Sequence, residues 1–274
     1  MVNLGNINIG NSNLLVLIAG PCVIEGREIT LRIASHIQKI AKKHHVPFIF
    51  KASYKKANRT SGNSFASLGI DESLKILAEV KKELDVPVLT DVHTELEAAP
   101  VAEVVDVLQV PAFLCRQTEL LHAVGRTGKP VNVKKGQFLA PEDMKYAADK
   151  IKATGNNNIM LTERGATFGY HNLVVDMRAL VIMRDLGYPV ILDATHSIQL
   201  PSGAKNHSAG QPEFIFPIAR AGAAVGIDGL FIEAHPDPAR ALSDAASQLK
   251  LDLLEELVKQ VVAIDHLVKE KLAV

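Results

Sequence analysis

LLVLIAGPCVIEGREITLRIASHIQKIAKKHHVPFIFKAS, residues 14–53, is the stretch that decides the architecture. Its two ends, LLVLIAG (14–20) and PFIFKAS (47–53), are near-continuous apolar runs that close in polar or glycine residues, as strands buried on both faces do. Between them Ile29, Ile33, Ile37 and Ile40 recur at steps of three or four, a helical stripe facing a core. Six more apolar runs follow: PVLTDV (87–92), VVDVLQV (104–110), VNVKK (131–135), NIMLTER (158–164), VILDATH (190–196) and GLFIEAH (229–235). Helical stripes recur in 71–85, through Leu77, Val80 and Leu84, and in 175–187, through Met177, Leu180 and Met183. Pro141 followed by Glu142 and Asp143 marks another helix start, since proline fits the first turn and acids favour the positive end of the dipole. Eight strands alternating with helices, uninterrupted by a Pro/Gly/Ser-rich linker, predict an α/β fold: a single (β/α)8 TIM barrel spanning 1–274. NLGNINIGN (3–11) predicts a short N-terminal hairpin capping the barrel bottom, and LPSGAKNHSAGQPEF (200–214) a long polar lid after the seventh strand.

Composition narrows the partners. Thirty basic residues balance thirty acidic ones, so the chain lacks the cationic excess that nucleic-acid binding needs. With 47% hydrophobic and 22% charged residues it has the material for a large core, which excludes wholesale disorder. Its longest apolar runs fall well short of the roughly 20 residues of a membrane span, and MVNLGNINIG does not read as a signal peptide. Two cysteines, Cys22 and Cys115, suit a reducing compartment, so a cytoplasmic location is expected.

In a parallel barrel the chemistry lies at the carboxyl ends of the strands. Those ends carry Cys22, Lys51, Asp91, His93, Gln109, Lys134, Glu163, Arg164, Asp193, His196, Glu233 and His235. Lys51, Lys55, Lys56 and Arg59 of KASYKKANR (51–59), with Lys134 and Arg164, predict a cationic mouth for an anionic small molecule; Asn58, Thr60 and Ser61 add neutral donors. No phosphate loop or dinucleotide fingerprint is present, which argues against ATP or NAD as an obligatory ligand. Cys22, His196, Glu233 and Asp244 are candidates for a divalent metal such as zinc, iron or manganese, although their spacing alone selects nothing. DATHS places Asp193, His196 and Ser197 close together, but no Gly-x-Ser-x-Gly elbow supports a serine nucleophile. An aldolase working through a lysine imine is an alternative of a different class.

The blocks IAGPCVIEG (18–26), FKASYKKANRTS (50–61), TDVH (90–93), QVPAFLCRQTEL (109–120), VNVKKGQFLAP (131–141), LTERGATFGY (161–170), DATHSIQLP (193–201) and FIEAHPDP (231–238) together resemble the 3-deoxy-D-manno-octulosonate 8-phosphate synthases. The resemblance implies a transferase that joins phosphoenolpyruvate to arabinose 5-phosphate in lipopolysaccharide biosynthesis, commonly as a homotetramer. A related family, the 3-deoxy-D-arabino-heptulosonate 7-phosphate synthases, uses erythrose 4-phosphate and has Lys-Pro-Arg-Thr-Ser where this chain has Lys56-Ala57-Asn58-Arg59-Thr60-Ser61, a difference that favours the five-carbon sugar. Cysteine rather than asparagine after the first strand implies the metal-dependent class, with Cys22, His196, Glu233 and Asp244 as ligands. By the same resemblance Lys51, Lys56, Gln109, Lys134 and Arg164 hold phosphoenolpyruvate, and Asn58, Arg59, Thr60 and Asp91 hold the sugar phosphate. Lys134, His196 and Asp244 are the expected catalytic residues, and Arg116 is expected to reach a neighbouring subunit's site. Pro212 stands where such enzymes often carry a basic residue, so no charge contact is expected from that position.

Overall fold

The computed structural model describes residues 1–10, 13–57, 65–201 and 209–271. Each of the eight apolar runs carries one strand: β1 (Val16–Gly20), β2 (Phe48–Lys51), β3 (Val88–Asp91), β4 (Val107–Val110), β5 (Val131–Lys134), β6 (Ile159–Glu163), β7 (Val190–Asp193) and β8 (Gly229–His235). All pair in parallel with their sequence neighbours, and β8 closes the barrel by pairing with both β7 and β1. Eight helices form the outer ring: α1 (Arg27–Lys43), α2 (Ile70–Leu84), α3 (Glu95–Val104), α4 (Thr118–Arg126), α5 (Met144–Lys152), α6 (Met177–Asp185), α7 (Ile215–Val225) and α8 (Leu254–Lys271). Ile33, Ile37 and Ile40 of α1 are buried, as their spacing predicts, and Ile29 packs against the same core from a partly buried position. The proline start differs in one detail: Pro141–Asp143 forms a 3-10 turn, and α5 begins one residue later.

Strand alternation sorts the side chains. Leu17, Phe50, Leu108, Val133, Leu161 and Leu192 lie in the large cluster between sheet and helices, whereas Val16, Ile18, Ile49, Leu89, Val107, Met160, Ile191 and Phe231 fill the barrel interior. The expected hairpin is present. Val2–Leu4 pairs antiparallel with Ile7–Ile9, and the buried Val2, Leu4, Ile7 and Ile9 join that interior cluster from below. At the opposite end, Gly20 has no room for a side chain: a Cβ there would sit 1.9 Å from the carbonyl oxygen of Lys51. The β1 terminus can therefore press against β2 just where both deliver polar residues.

Of the lid region, residues 202–208 lie outside the described residues; its flanks, Gln199–Leu200 and Ala209–Gly210, pair antiparallel, and Pro212–Phe214 makes a 3-10 turn into α7.

Candidate active site

Moving two residues along a strand keeps the same face and climbs toward the mouth. That step changes the interior from apolar to polar: Ile49 gives way to Lys51, Leu89 to Asp91, Val107 to Gln109, Met160 to Thr162, Ile191 to Asp193 and Phe231 to Glu233, all buried. Burying so many polar groups is costly unless they are paired. Here they are. Lys51 Nζ bonds Glu233 Oε1 and, at 3.2 Å, the Cys22 carbonyl oxygen. Lys56 Nζ stands 3.8 Å from the same Glu233 oxygen. Lys134 Nζ pairs with Asp193 Oδ2 and lies 3.9 Å above the centre of the Phe231 ring.

Cys22, Glu233 and Asp244 offer ligand atoms that all lie within 4.8 Å of one another, so these three could hold a metal ion. Cys22 Sγ is 3.0 Å from Ser243 Oγ and 3.2 Å from Asp244 Oδ2. His196, in the turn after β7, lies outside that mutual group but approaches two of its members: its Nε2 is 3.5 Å from Glu233 Oε2 and 3.9 Å from Asp244 Oδ2. Asp193 Oδ2 takes the other ring nitrogen at 2.6 Å, and its Oδ1 accepts N–H bonds from Thr195 and His196. A histidine tied through Nδ1 to a carboxylate presents Nε2 in a fixed direction, the arrangement that orients metal-bound imidazoles. Asp244 sits at φ 48°, a left-handed conformation uncommon outside glycine, so local strain accompanies its placement. Burial, then the charges of Asp244 and Glu233, push the Cys22 thiol well above its ordinary pKa. A cation would reverse that balance, because it stabilises thiolate and carboxylates together. The donor set therefore fits a divalent ion.

Electrostatics divide the mouth. Against the penalty of burial, which alone would raise both values, His196, Lys51, Lys56 and Lys134 hold Glu233 far below the usual carboxylate range, and Lys51, Lys56, His93 and Lys134 do the same for Asp91. Arg164, buried at the end of β6, donates through Nη2 to Gln199 Oε1 at 2.9 Å, while its Nη1 has no hydrogen-bond partner among the described residues. An unpaired buried guanidinium nitrogen suits an anionic ligand.

Other expected residues are placed differently. Lys55 turns away from the mouth to Glu97 Oε1, 2.8 Å distant, so it is not part of the cationic cluster. His93 packs edge-on against Tyr54, with ring centres 5.7 Å apart. Glu163 caps its own turn by accepting the Arg164 and Gly165 N–H groups, beside Lys135. His235 lies 3.4 Å from Glu25, whose other oxygen accepts the Leu242 N–H. Ser197 bonds back to the Ala194 carbonyl rather than to His196, which removes the serine nucleophile. Arg116 is exposed in the loop after β4. Asn58, Arg59 and Thr60 lie outside the described residues. Sequence reasoning passed over Ser53, Asn132, Thr162 and Ser243; inward parity with Asp91, Gln109 and Lys134 was the available signal for Asn132 and Thr162.

A closed (β/α)8 barrel whose mouth buries three lysines and an arginine around a thiol, an imidazole and several carboxylates defines an enzyme of small anionic substrates. The chain belongs to the DAHP synthetase I family, whose profile matches residues 1–270. It is 54% identical over 268 residues to the 2-dehydro-3-deoxyphosphooctonate aldolase of Trichlorobacter lovleyi, covering 98% of both chains. Proteins of the same name from Geotalea uraniireducens and Acidithiobacillus ferrooxidans are 55% identical over 268 residues and 56% identical over 255, covering 98% of both chains and 93% and 91% respectively.

Proposed function

We propose that the chain condenses phosphoenolpyruvate with D-arabinose 5-phosphate and water, giving 3-deoxy-D-manno-octulosonate 8-phosphate and inorganic phosphate for the lipopolysaccharide inner core. The observation that carries this reading is the identity of 54–56% with proteins named for that product, spread over nearly the whole chain. The mouth supplies the physical support. Two phosphates and a carboxylate must meet in one place, and Lys51, Lys56, Lys134 and Arg164 offset their repulsion.

In the reaction the methylene carbon of phosphoenolpyruvate bonds to the sugar aldehyde carbon, water adds at the carbon bearing phosphate, and that carbon then expels inorganic phosphate. Lys51, Lys56, Gln109, Lys134 and Arg164 bind phosphoenolpyruvate, with Gln109 donating from its amide nitrogen. Asp91, with Asn58, Arg59 and Thr60, binds the sugar phosphate. Lys134, whose Nζ is 3.4 Å from the His196 ring, holds a proton for the chemistry, while His196, oriented by Asp193, serves the metal. A divalent ion held by Cys22, His196, Glu233 and Asp244 supplies Lewis acidity and orientation when bound; zinc, iron and manganese all suit a thiolate, imidazole and carboxylate set.

The whole chain acts as one catalytic domain and assembles as a homotetramer. Arg116, which reaches the neighbouring subunit's site in that assembly, is exposed, as is Phe113. Two free thiols suit the reducing cytoplasm, and no helix among the described residues is long and apolar enough to cross a membrane.

The test is phosphate release from phosphoenolpyruvate with each sugar phosphate. Turnover with arabinose 5-phosphate, lost on exhaustive chelation and regained with a divalent ion, is expected. Preference for erythrose 4-phosphate overturns the substrate, and full activity after chelation overturns the metal.

A further inference from the structure

Asn132 and Thr162 are fully buried polar residues on the inner faces of β5 and β6, and the chemistry above uses neither. They stand at one end of a continuous hydrogen-bonded row across four strands. Thr162 Oγ1 donates to Asn132 Oδ1 at 2.6 Å, Asn132 Nδ2 donates to Gln109 Oε1 at 2.9 Å, and Gln109 Nε2 donates to Asp91 Oδ1. Ser53 Oγ donates to the other Asp91 oxygen, closing the row.

The direction of this row is forced by its end. An ionised carboxylate only accepts, so Gln109 must turn its NH2 group to Asp91 and its carbonyl to Asn132. Asn132 must then give its own NH2 to Gln109 and turn its carbonyl to Thr162, whose hydroxyl is the remaining donor. If that donor is removed, the last carbonyl is stranded in a buried site, and both amides gain a reason to rotate.

We propose that Asn132 and Thr162 are positioning residues that lock the Gln109 amide, so that Gln109 faces the anionic substrate as a donor and never as a carbonyl. The proposal rests on the reading of Gln109 as a phosphoenolpyruvate contact. A rotated Gln109 would set its carbonyl against both Asp91 and the substrate's negative charge, weakening binding more than the chemical step.

Steady-state kinetics of Thr162→Val and Thr162→Ser, on protein of equal metal content, test the lock. Valine keeps the shape and deletes the donor; serine keeps the donor. Thr162→Val is expected to raise KM for phosphoenolpyruvate about tenfold, or 1.4 kcal/mol, with kcat within about threefold. Thr162→Ser is expected to stay near wild type. Should the valine variant fail to fold, Thr162→Ala, which also deletes the donor and adds no charge, carries the test, and the same rise in KM is expected. Equal KM values for folded valine and serine variants, or a fall in kcat at unchanged KM, overturn the lock while wild-type activity leaves the proposed function standing. Wild-type protein that consumes no phosphoenolpyruvate with either sugar overturns that function and, with it, this role of Gln109.

Discussion

Lys134 shows how one side chain is committed by its surroundings. Its ammonium is buried between Asp193, the His196 ring and the face of Phe231, so it reaches the mouth as a fixed charge rather than a flexible one. Lys55, four residues beyond the end of β2, is instead spent on Glu97 at the protein edge. Replacement by alanine should separate the two. Loss of a charge-assisted contact is worth about 1.5–3 kcal/mol, so Lys134→Ala should lower kcat/KM for phosphoenolpyruvate by about one to two orders of magnitude. Lys55→Ala, which breaks a partly exposed pair, should change it by less than about threefold. Equal effects of the two substitutions would mean that the substrate anion sits elsewhere.

At the scale of elements, Glu97 near the start of α3 ties three segments together. Its Oε2 accepts from the Tyr54 hydroxyl at 2.7 Å and from the His93 and Thr94 N–H groups, and its Oε1 takes Lys55. The chain after β2 is thereby fastened to the entry of α3 at the point from which Lys56 reaches inward. Burial alone would raise the Glu97 pKa, but Lys55, Tyr54 and the His93 N–H group outweigh it and hold it down at about 2. A depressed carboxylate contributes stability that is present above its ordinary value near 4.5 and is lost as pH falls toward the folded value. Glu97→Gln should therefore cost about 1–2 kcal/mol at neutral pH. The gap from wild type, measured by urea unfolding, should narrow steadily below about pH 4.5. A gap independent of pH would show that the cost of the substitution does not come from the ionised carboxylate.

For the molecule as a whole, the barrel was legible because each strand is an unbroken apolar run and each helix a periodic stripe, signals that survive without knowledge of partners. The polar layer was legible only where a strand ended in a polar side chain, as at Lys51, Gln109 and Lys134. Asn132 and Thr162 sit inside runs, where parity marks them as inward-facing but only barrel register brings Asn132 beside Gln109 and Thr162 beside Asn132. Lys55 and Lys56 are adjacent in a loop, and no periodicity there decides which one points inward. Asp244 was assigned through resemblance, because its approach to Cys22 depends on a left-handed turn 222 residues away in sequence. The same architecture separates stability from chemistry, since the N-terminal hairpin plugs the end of the barrel opposite the mouth. Ile9, fully buried there, rests on the lowest interior layer with Val2, Val16 and Ile191. Cutting it to alanine leaves a cavity under that layer and should cost about 2–5 kcal/mol. Chemistry at the far end should be untouched: Ile9→Ala is expected to lower Tm while KM for both substrates and kcat at 25 °C stay within about twofold. If KM for phosphoenolpyruvate rose in step with the loss of Tm, the interior layers would have to transmit strain from plug to mouth, and the hairpin would belong to the catalytic apparatus rather than to the foundation beneath it.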